Sequence, residues 1–482
     1  MLFMFKDKNV QKQPCEPECC YRNVSRADEG HSDDNYQFGT KLVCFEGEHM
    51  LRVKEEFIHI RCFCTHNNAT VHEDFRAFII PKKVSGSSIP SNKTRQNEND
   101  EVLNVYLIGL DSVSRLNFRR FLPNIEKLLI DKFHGIPMMG LNKIGVNTFP
   151  NMLAFLSGLQ MDQLNQSLRK EPFDDLPFIW KEFSRLGYIT MFNEDTPEIA
   201  TFNYKKQGFY RTPTDYYLRP LYQAIEHSSY VKSRKTLCIN KRPQIDFQLQ
   251  LLQDFMNEAT TPQFALLFSS ALSHEGPLTY VKDMQDRLHQ FLIWYKDTER
   301  YNSSIMLFFS DHGMRFGPVM RTELGGYESR MPFFYVLLPP WYAVRYPQRV
   351  RHLRANARRL TTFFDAHATL RHLLLEAVRS QCAQLSLLSV TSAFHRLSQP
   401  QGVVKDTAYQ VQAFEEYVVQ FVTTPGLGEF EATVRSRGGS APPEELLSVV
   451  DVSRLDVYRG QSDCLKQRFD EMRFCYCQSL VQ

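Results

Sequence analysis

The stretch Ile305-Met-Leu-Phe-Phe-Ser-Asp-His-Gly313 decides the fold class. Five apolar residues between a polar run and a glycine-bearing loop are typical of a strand that is buried on both faces of a mostly parallel sheet. Asp311 and His312 end this strand. Ligands of open α/β sheets collect beyond the carboxyl ends of the strands, so this acid and imidazole are placed to hold a metal ion. A simple turn is the competing interpretation.

Other apolar runs predict further strands of the same sheet. The run Val102–Leu110 ends on Asp111 and is followed by a segment of helical period, which gives the strand-then-helix alternation of a doubly wound sheet. Strands are also predicted at 188–192, 264–268 and 332–338. We therefore expect an α/β fold with a mostly parallel sheet flanked by helices.

A polar turn and an apolar helix make up the stretch Gly145–Gly158. Pro150 is tolerated only in the first turn of that helix, which places Thr148 at or beside its N-terminus. Free N–H groups and the helix dipole at this position favour an anion and stabilise a deprotonated hydroxyl. Thr148 is therefore a candidate nucleophile.

If the sheet is wound as predicted, Asp111, Thr148, Asp311 and His312 converge. Two carboxylates, an imidazole and a hydroxyl can bind one divalent cation and leave room for a substrate oxygen. A threonine hydroxyl bound to a metal has a lowered pKa and becomes a usable nucleophile. Helix capping and turn formation are the ordinary alternatives for each of these residues.

Composition limits the class of protein. With 482 residues, 43% of them hydrophobic, the chain can bury a large core. Its net charge is only +3 and its basic residues are scattered along the sequence, which argues against nucleic-acid binding. We predict three regions: a Cys-rich, strand-containing N-terminal region with a linker (1–100), a catalytic core (101–385), and an α+β region with a Cys-rich tail (386–482).

The cysteines and glycosylation motifs point to the secretory pathway. Most of the 11 cysteines lie near the two ends, as expected for disulfides in an oxidising compartment, although a zinc knuckle stays an alternative. No apolar segment of signal-peptide length opens the sequence, so we expect a truncated start or a membrane anchor upstream. Five Asn-X-Ser/Thr motifs predict N-glycans on Asn23, Asn68, Asn92, Asn165 and Asn302.

A family resemblance rests on the order of four motifs: Leu-Asp-Ser at 110–112, Asn-Thr-Phe-Pro-Asn at 147–151, Ser-Asp-His-Gly at 310–313 and Phe-Asp-Ala-His at 364–367. Over residues 100 to 380 the chain is similar to the alkaline phosphatase and sulfatase superfamily. More narrowly it resembles the DUF229 proteins of animals, an extracellular group without assigned function. The resemblance implies an alkaline-phosphatase-like fold, a metal site of Asp111, Thr148, Asp311 and His312, and Thr148 as nucleophile.

Two departures from the superfamily patterns bear on activity. Sulfatases convert a Cys or Ser of C/S-x-P-x-R to formylglycine, but the matching run here begins with Thr148 and ends with Met152. Two-zinc relatives carry an Asp and a His four residues apart, but Ser270 stands in the Asp position before His274. We therefore expect one divalent cation (Zn, Mn or Ca), with His274 left to bind or protonate the substrate.

These patterns predict a secreted or lumenal, metal-dependent hydrolase or phosphotransferase that acts on phosphate esters through Thr148. Arg115 and Arg119 follow the first metal ligand and are candidates to bind the phosphoryl oxygens, unless they are helix-surface charges. The alternatives are a catalytically silent extracellular binding protein that keeps the fold and a sulfuric ester hydrolase.

Overall fold

A computed structural model describes most of the chain, namely residues 2–4, 17–27, 30, 33–45, 50–82, 102–164, 171–228, 238–239, 242–258, 261–274, 278–379, 383, 385–396, 414–437, 447–456, 461–462, 474–477 and 480. Its contacts divide it into two compact units, 1–372 and 373–482. Residues 1–100 thus share a unit with most of the predicted core, and the division into three regions at 100 and 385 stays a prediction. The predicted linker, 83–100, lies outside the described residues.

The strands are β1 (Leu2–Met4), β2 (Pro17–Arg26), β3 (Tyr36–Phe38), β4 (Val43–Phe45), β5 (Met50–Arg52), β6 (Phe57–Cys64), β7 (Thr70–Ala77), β8 (Asn104–Leu110), β9 (Ile136–Pro137), β10 (Ile189–Glu194), β11 (Tyr216–Tyr217), β12 (Cys238–Ile239), β13 (Arg242–Pro243), β14 (Gln263–Ser269), β15 (Ser304–Phe309), β16 (Phe334–Leu337), β17 (Ser386–Arg396), β18 (Phe414–Thr424), β19 (Glu429–Arg437) and β20 (Leu447–Arg454). The helices are α1 (Arg115–Phe121), α2 (Pro123–Phe133), α3 (Thr148–Ser157), α4 (Ile179–Arg185), α5 (Arg219–Glu226), α6 (Gln244–Glu258), α7 (Gln285–Asp297), α8 (Glu323–Arg330), α9 (Pro340–Arg345), α10 (Pro347–Asn356) and α11 (Phe363–Arg379).

The main sheet of the first unit has the strand order β11-β10-β14-β8-β15-β16-β9. The first five strands are parallel. β16 pairs with β15 in antiparallel orientation, and β9 pairs antiparallel with β16 and so runs in the direction of the first five. The strand predicted at 332–338 is thus β16. The prediction of a mostly parallel sheet is confirmed.

Helices cover both faces of this sheet because its strands are apolar on both sides. On one face Phe308 of β15 packs edge-on against Phe118 of α1. On the other face its neighbour Phe309 packs against Phe155 of α3. Successive side chains of a strand point to opposite faces, so a continuous apolar run buries itself under two helical layers. The doubly wound α/β fold is therefore confirmed.

The helical segment predicted after Asp111 is two helices, α1 and α2, instead of one. Pro123 is the first residue of α2, a position that needs no backbone N–H donor. A proline further inside a helix would remove a hydrogen bond and clash with the preceding turn. The chain therefore ends one helix before Pro123 and begins the next with it.

The N-terminal part of the first unit is a small sheet held by disulfides. Strand β2 pairs with β3, β4 and β6, and β6 pairs with β7. Disulfides join Cys19 to Cys62 and Cys20 to Cys44 across these strands. The predicted disulfides are confirmed here, and these four cysteines are excluded as zinc ligands.

The second unit contains an antiparallel sheet in the order β17-β18-β19-β20. These strands are the regular α or β elements of the described residues of 386–482, and the α+β region stays a prediction. Cys475 and Cys477 in the tail are disulfide-bonded. Within the described residues, no helix is both long and apolar enough to cross a membrane.

Gly109 in the central strand β8 provides a test of this packing. A Cβ atom at Gly109 would lie 2.4 Å from Phe268 and 2.8 Å from Phe309, both in neighbouring strands. Rings that are packed on all sides cannot withdraw, so Gly109→Ala should lower the free energy of unfolding of the first unit by about 1–3 kcal/mol. Chemical denaturation followed by tryptophan fluorescence measures this change.

Gly326→Ala is the matched control. The nearest atom to a Cβ at Gly326 is the end of the flexible Arg330 side chain, at 3.2 Å, and the residue lies inside helix α8. Alanine is favoured over glycine in a helix by about 1 kcal/mol, so this substitution should be neutral or stabilising. Equal destabilisation by both substitutions would contradict the packing described for β8.

Candidate metal centre

The carboxyl ends of three adjacent strands define the centre. Leu110 at the end of β8 lies opposite Ser269 at the end of β14, and Gly109 lies opposite Phe309 at the end of β15. The residues that follow these ends, Asp111 among them, therefore emerge side by side. This alignment follows from parallel pairing, which the buried apolar runs impose.

The four predicted site residues come together at this edge. The Nε2 atom of His312 lies 3.1 Å from Asp311 Oδ2, 3.4 Å from Thr148 Oγ1 and 4.0 Å from Asp111 Oδ1. Asp111, Asp311 and His312 are at most 3% exposed, whereas Thr148 is partly exposed. The structure thus brings the four residues together, with three buried side chains and a partly exposed hydroxyl, and their role as metal ligands stays a prediction.

The donor atoms of this cluster fit a divalent cation. The Nδ1 atom of His312 lies 2.9 Å from the carbonyl oxygen of Gly313, so we assign the imidazole proton to Nδ1 and a lone pair to Nε2. Asp311 Oδ2 is buried and accepts no hydrogen bond. Ligand atoms of Asp111, Asp311 and His312 lie within 4.8 Å of one another. Electron-rich atoms that face each other without a proton between them are the arrangement that a metal ion satisfies.

The electrostatics of the cluster agree with this assignment. Burial, and then the charge of Asp311, raise the pKa of Asp111 well above its usual range. Burial lowers the pKa of His312 despite the nearby carboxylate of Asp311, which favours the neutral imidazole. Two buried carboxylates therefore repel each other unless a cation or a proton lies between them.

Serine side chains orient the carboxylates, a role that the sequence did not indicate. Ser112 donates from Oγ to Asp111 Oδ1 at 2.8 Å and from its backbone N–H to Asp311 Oδ1 at 3.0 Å. Its φ of 61° turns the chain sharply after β8. Ser270 donates from Oγ to Asp111 Oδ2 at 3.1 Å. Ser270, which the sequence comparison places at the Asp position of two-zinc relatives, thus holds the carboxylate of Asp111.

Asp195 holds the loop after β14 in place through hydrogen bonds to its serines. It accepts hydrogen bonds from Ser269 Oγ at 2.9 Å and from the backbone N–H of Ser270 at 2.8 Å. Asp195 is fully buried and follows β10, two strands away from β8. Its polar strand-end position was visible in the sequence, but its partners depend on the strand order.

Thr148 is the first residue of α3, one position inside the N-cap Asn147. Asn151 is fully buried and fixes the preceding loop: its Oδ1 accepts from the N–H groups of Ile144 and Gly145, each at 2.9 Å. Its Nδ2 donates to the carbonyl of Asn147 at 3.0 Å. The Asn of the Asn-Thr-Phe-Pro-Asn motif therefore positions the nucleophile candidate.

The other predicted substrate contacts are placed differently. Arg115 donates to the carbonyl of Met139, and Arg119 forms an ion pair with Glu126 at 2.8 Å. Both guanidinium groups thus have partners on the protein, and their role in substrate binding stays a prediction. His274 follows β14, and its Nε2 lies 3.4 Å from Nη2 of Arg315.

Two cations near the centre were not selected from the sequence. Arg315 lies three residues after His312, and its charge lowers the pKa of both Asp111 and His312. Burial, and then the charges of Arg315 and Arg330, lower the pKa of Lys143. Arg315 directly follows the strand-end motif, which was the one signal in the sequence that could have revealed it.

Within the described parts of the chain, one other cluster has metal-ligand residue types, namely Glu18, Cys20 and Cys44. Both cysteines are consumed by their disulfide, so this cluster lacks thiolate ligands. The strand-end cluster is therefore the candidate metal centre of the part of the molecule that can be described.

The predicted glycosylation sites differ in accessibility. Asn68 and Asn302 are exposed, whereas Asn23 is half-buried within β2. Asn92 and Asn165 lie outside the described residues. N-glycosylation stays a prediction at all five positions.

Comparison with known proteins identifies the family. The model of the family of proteins of unknown function DUF229 matches residues 4–387. The chain belongs to the DUF229 family. No curated protein sequence matches this DUF229 protein significantly.

Several solved structures of other proteins are distantly similar to this DUF229 protein, among them the following three. A protein of the alkaline phosphatase superfamily from Vibrio parahaemolyticus is 13% identical, covering 76% of this chain and 85% of its own, with a TM-score of 0.41. The C-terminal periplasmic domain of EcEptC from Escherichia coli is 12% identical, covering 57% and 82%, with a TM-score of 0.40. Murine ectonucleotide pyrophosphatase/phosphodiesterase 5 is 11% identical, covering 56% and 95%, with a TM-score of 0.34. Sequence identities and TM-scores this low do not establish an activity for this chain.

The buried carboxylates predict how the stability of the metal-free DUF229 protein depends on pH. A carboxyl whose pKa is raised by folding stabilises the fold fully below its unfolded pKa, and this contribution is lost as the pH rises through the folded pKa. The chelator-treated protein should therefore have a lower Tm at about pH 8 than at about pH 5, and Asp111→Asn should reduce this difference. Differential scanning calorimetry measures both proteins.

Asp283→Asn, at an exposed carboxylate, is the control for loss of charge and should keep the wild-type pH dependence. Adding Zn²⁺ or Mn²⁺ at neutral pH should raise the Tm of the wild type and of this control but not that of Asp111→Asn. Superimposable metal-free pH profiles of the wild type and Asp111→Asn would contradict the proposed repulsion.

Proposed function

We propose that this protein is a metal-dependent hydrolase or phosphotransferase of phosphate esters in which Thr148 is the nucleophile. The observation that carries the proposal is the convergence of a partly exposed hydroxyl with a buried Asp-Asp-His cluster: Thr148 Oγ1 lies 3.4 Å from His312 Nε2. An accessible hydroxyl beside a cation site at a helix N-terminus is suited to attack an electrophilic centre.

The composition of the ligand set bears on the metal. Asp111, Asp311, His312 and Thr148 would hold a divalent cation, which would lower the pKa of the hydroxyl and polarise an ester oxygen. An imidazole ligand favours Zn²⁺ or Mn²⁺ over Ca²⁺, which prefers six to eight oxygen ligands. The support that Ser270 gives to Asp111, in place of a second carboxylate, favours a single ion.

In the proposed reaction Oγ1 of Thr148 loses its proton to solvent water and forms a bond to phosphorus while the bond from phosphorus to the leaving oxygen breaks. The leaving oxygen takes up a proton, for which His274 is the candidate donor. Water or a second alcohol then gives its proton to His274 and forms a bond to phosphorus while the bond from phosphorus to Thr148 Oγ1 breaks. Oγ1 takes up a proton from solvent, which regenerates the hydroxyl, and phosphate or a new ester is released. Asn151 and the N-terminus of α3 hold Thr148 in place through both steps.

Two features favour phosphate over sulfate esters. Residue 148 is Thr instead of the Cys or Ser that is converted to formylglycine, and Met152 stands in the position of the sulfatase arginine. A sulfuric ester hydrolase is therefore the less favoured alternative. The disulfides of the N-terminal sheet favour an extracellular or lumenal location, to which the predicted N-glycans would be suited.

A catalytically silent binding protein is the second candidate. It is favoured by Ser270, which replaces a ligand of the two-zinc enzymes. The two candidates differ in one measurable respect, since a silent protein binds the metal and an anion but turns over no ester.

Thr148→Ala tests the proposal. Loss of the only nucleophile should reduce kcat for phosphate esters by roughly a thousandfold or more, while metal binding through the remaining three ligands persists. Thr148→Ser keeps a hydroxyl and should retain part of the activity. Mass spectrometry of acid-quenched reactions should find phosphate on the peptide that contains Thr148.

The assay panel contains a phosphate monoester, a phosphate diester and an aryl sulfate. Unchanged turnover by Thr148→Ala would overturn the nucleophile assignment, and release of sulfate would favour the sulfatase alternative. Stoichiometric metal binding without turnover of any ester would support the silent binding protein.

A further inference from the structure

Arg315 is a cation near the metal centre with no acidic partner among the described residues. Its Nη2 lies 3.4 Å from His274 Nε2, and its guanidinium carbon lies 5.4 Å from the centre of the Phe316 ring. Its Nε is buried and has no hydrogen-bond partner. A buried N–H donor without an acceptor costs free energy, so the unpaired Nε of Arg315 calls for a functional explanation.

Lys143 is a second cation and lies five residues before Thr148 in the sequence. Its Nζ lies 3.5 Å from the carbonyl oxygen of Val146, and its backbone N–H donates to Arg330 at 2.9 Å. The charges of Arg315 and Asp311 both act on Lys143. Lys143 precedes the loop that Asn151 fixes, so its backbone is held close to Thr148.

These cations oppose metal binding instead of assisting it. A positive charge close to Asp111, Asp311 and His312 repels an incoming divalent cation. Arg315 therefore attracts the carboxylates but disfavours the entry of a metal ion between them. An anion bound beside the metal would satisfy Arg315, Lys143 and the metal together, and it would give the unpaired Nε of Arg315 an acceptor.

We propose that Arg315 and Lys143 form an oxyanion subsite that holds the non-bridging oxygens of a tetrahedral phosphoryl group facing Thr148. This inference extends the proposed function, on which it rests for the identity of the reacting group. The planar guanidinium offers several N–H donors in one plane, a geometry that matches two oxygens of a phosphoryl group. The 3.4 Å contact with His274 is long for a hydrogen bond, so little is lost when an ester oxygen replaces it.

The subsite assigns different roles to the arginines of the site. Arg115 and Arg119 are engaged by Met139 and Glu126, whereas Arg315 keeps an unpaired donor. Binding of a phosphoryl oxygen by Arg315 also frees His274 Nε2 from its present contact. His274 keeps its position beside Arg315, where the proposed reaction uses it as the proton donor to the leaving oxygen.

Charge-removing variants give the inference a distinctive signature. Because Arg315 repels the metal and attracts the anion, Arg315→Gln should leave Zn²⁺ affinity unchanged or increase it, while weakening binding of inorganic phosphate to the zinc-loaded protein about tenfold or more. Competition with a chromogenic chelator measures the zinc affinity, and isothermal titration calorimetry measures the phosphate affinity. Arg315→Lys keeps the charge but not the planar fork, so its phosphate affinity should be intermediate.

Arg321→Gln is the matched control, since Arg321 is exposed and lies six residues further along the chain. It should change neither affinity. Unchanged phosphate binding by Arg315→Gln would overturn the subsite. Weaker binding of zinc and phosphate together would also overturn it, because that pattern indicates a structural role for Arg315.

The same data separate this inference from the proposed function. Loss of phosphate affinity in Arg315→Gln, in a protein that hydrolyses no ester, leaves the oxyanion subsite in place and overturns only the hydrolase. Hydrolysis that depends on Thr148 but not on Arg315 would support the hydrolase and overturn the oxyanion subsite.

Discussion

The repulsion between the carboxylates of Asp111 and Asp311 is the constraint on which the site depends. Both side chains are buried at the ends of adjacent parallel strands, and an unpaired oxygen of Asp311 faces the lone pair of His312 Nε2. Such an arrangement is costly in a protein interior unless a cation compensates it. The apolar strands that place these residues together thus create a requirement for positive charge that a metal ion would fulfil.

Much of the surrounding structure keeps the ligands in place. Ser112 and Ser270 hold the carboxylate oxygens, and Asp195 holds the backbone of Ser270. Gly313 allows the chain after His312 to approach α8, because a Cβ there would lie 2.1 Å from the carbonyl oxygen of Glu328. Ligands that are fixed by such contacts keep their geometry in the absence of metal, which favours tight binding and defined coordination.

The features predicted from the sequence were those that depend on local pattern. Continuous apolar runs indicated buried strands, and Pro150 placed Thr148 at a helix start, because these signals lie within a few residues. The partners of Asp195 and Asn151 could not be predicted, since they depend on strand order and loop path. Arg315 was missed because an arginine after a strand looks like any exposed charge until its neighbours are known.

The distinction between local sequence pattern and tertiary arrangement also applies to the disulfides and to the packing of the N-terminal region. The disulfides of the N-terminal sheet were expected, but the pairing of Cys19 with Cys62 follows only from the register of β2 and β6. The attachment of this region to the core could not be expected either. Asp33 joins this region to the core: its carboxylate accepts a hydrogen bond from Tyr217 at 2.6 Å, and its carbonyl oxygen accepts one from Arg219 at 3.0 Å.

The most direct test of the central claim is a crystal structure of the Mn²⁺- or Zn²⁺-loaded protein with anomalous scattering data collected at the metal edge. The account predicts a single strong anomalous peak in the core, bonded at about 2.0–2.3 Å to Asp111, Asp311 and His312 Nε2, with Thr148 Oγ1 beside it. An anomalous peak elsewhere, or none at the strand ends under saturating metal, would contradict it.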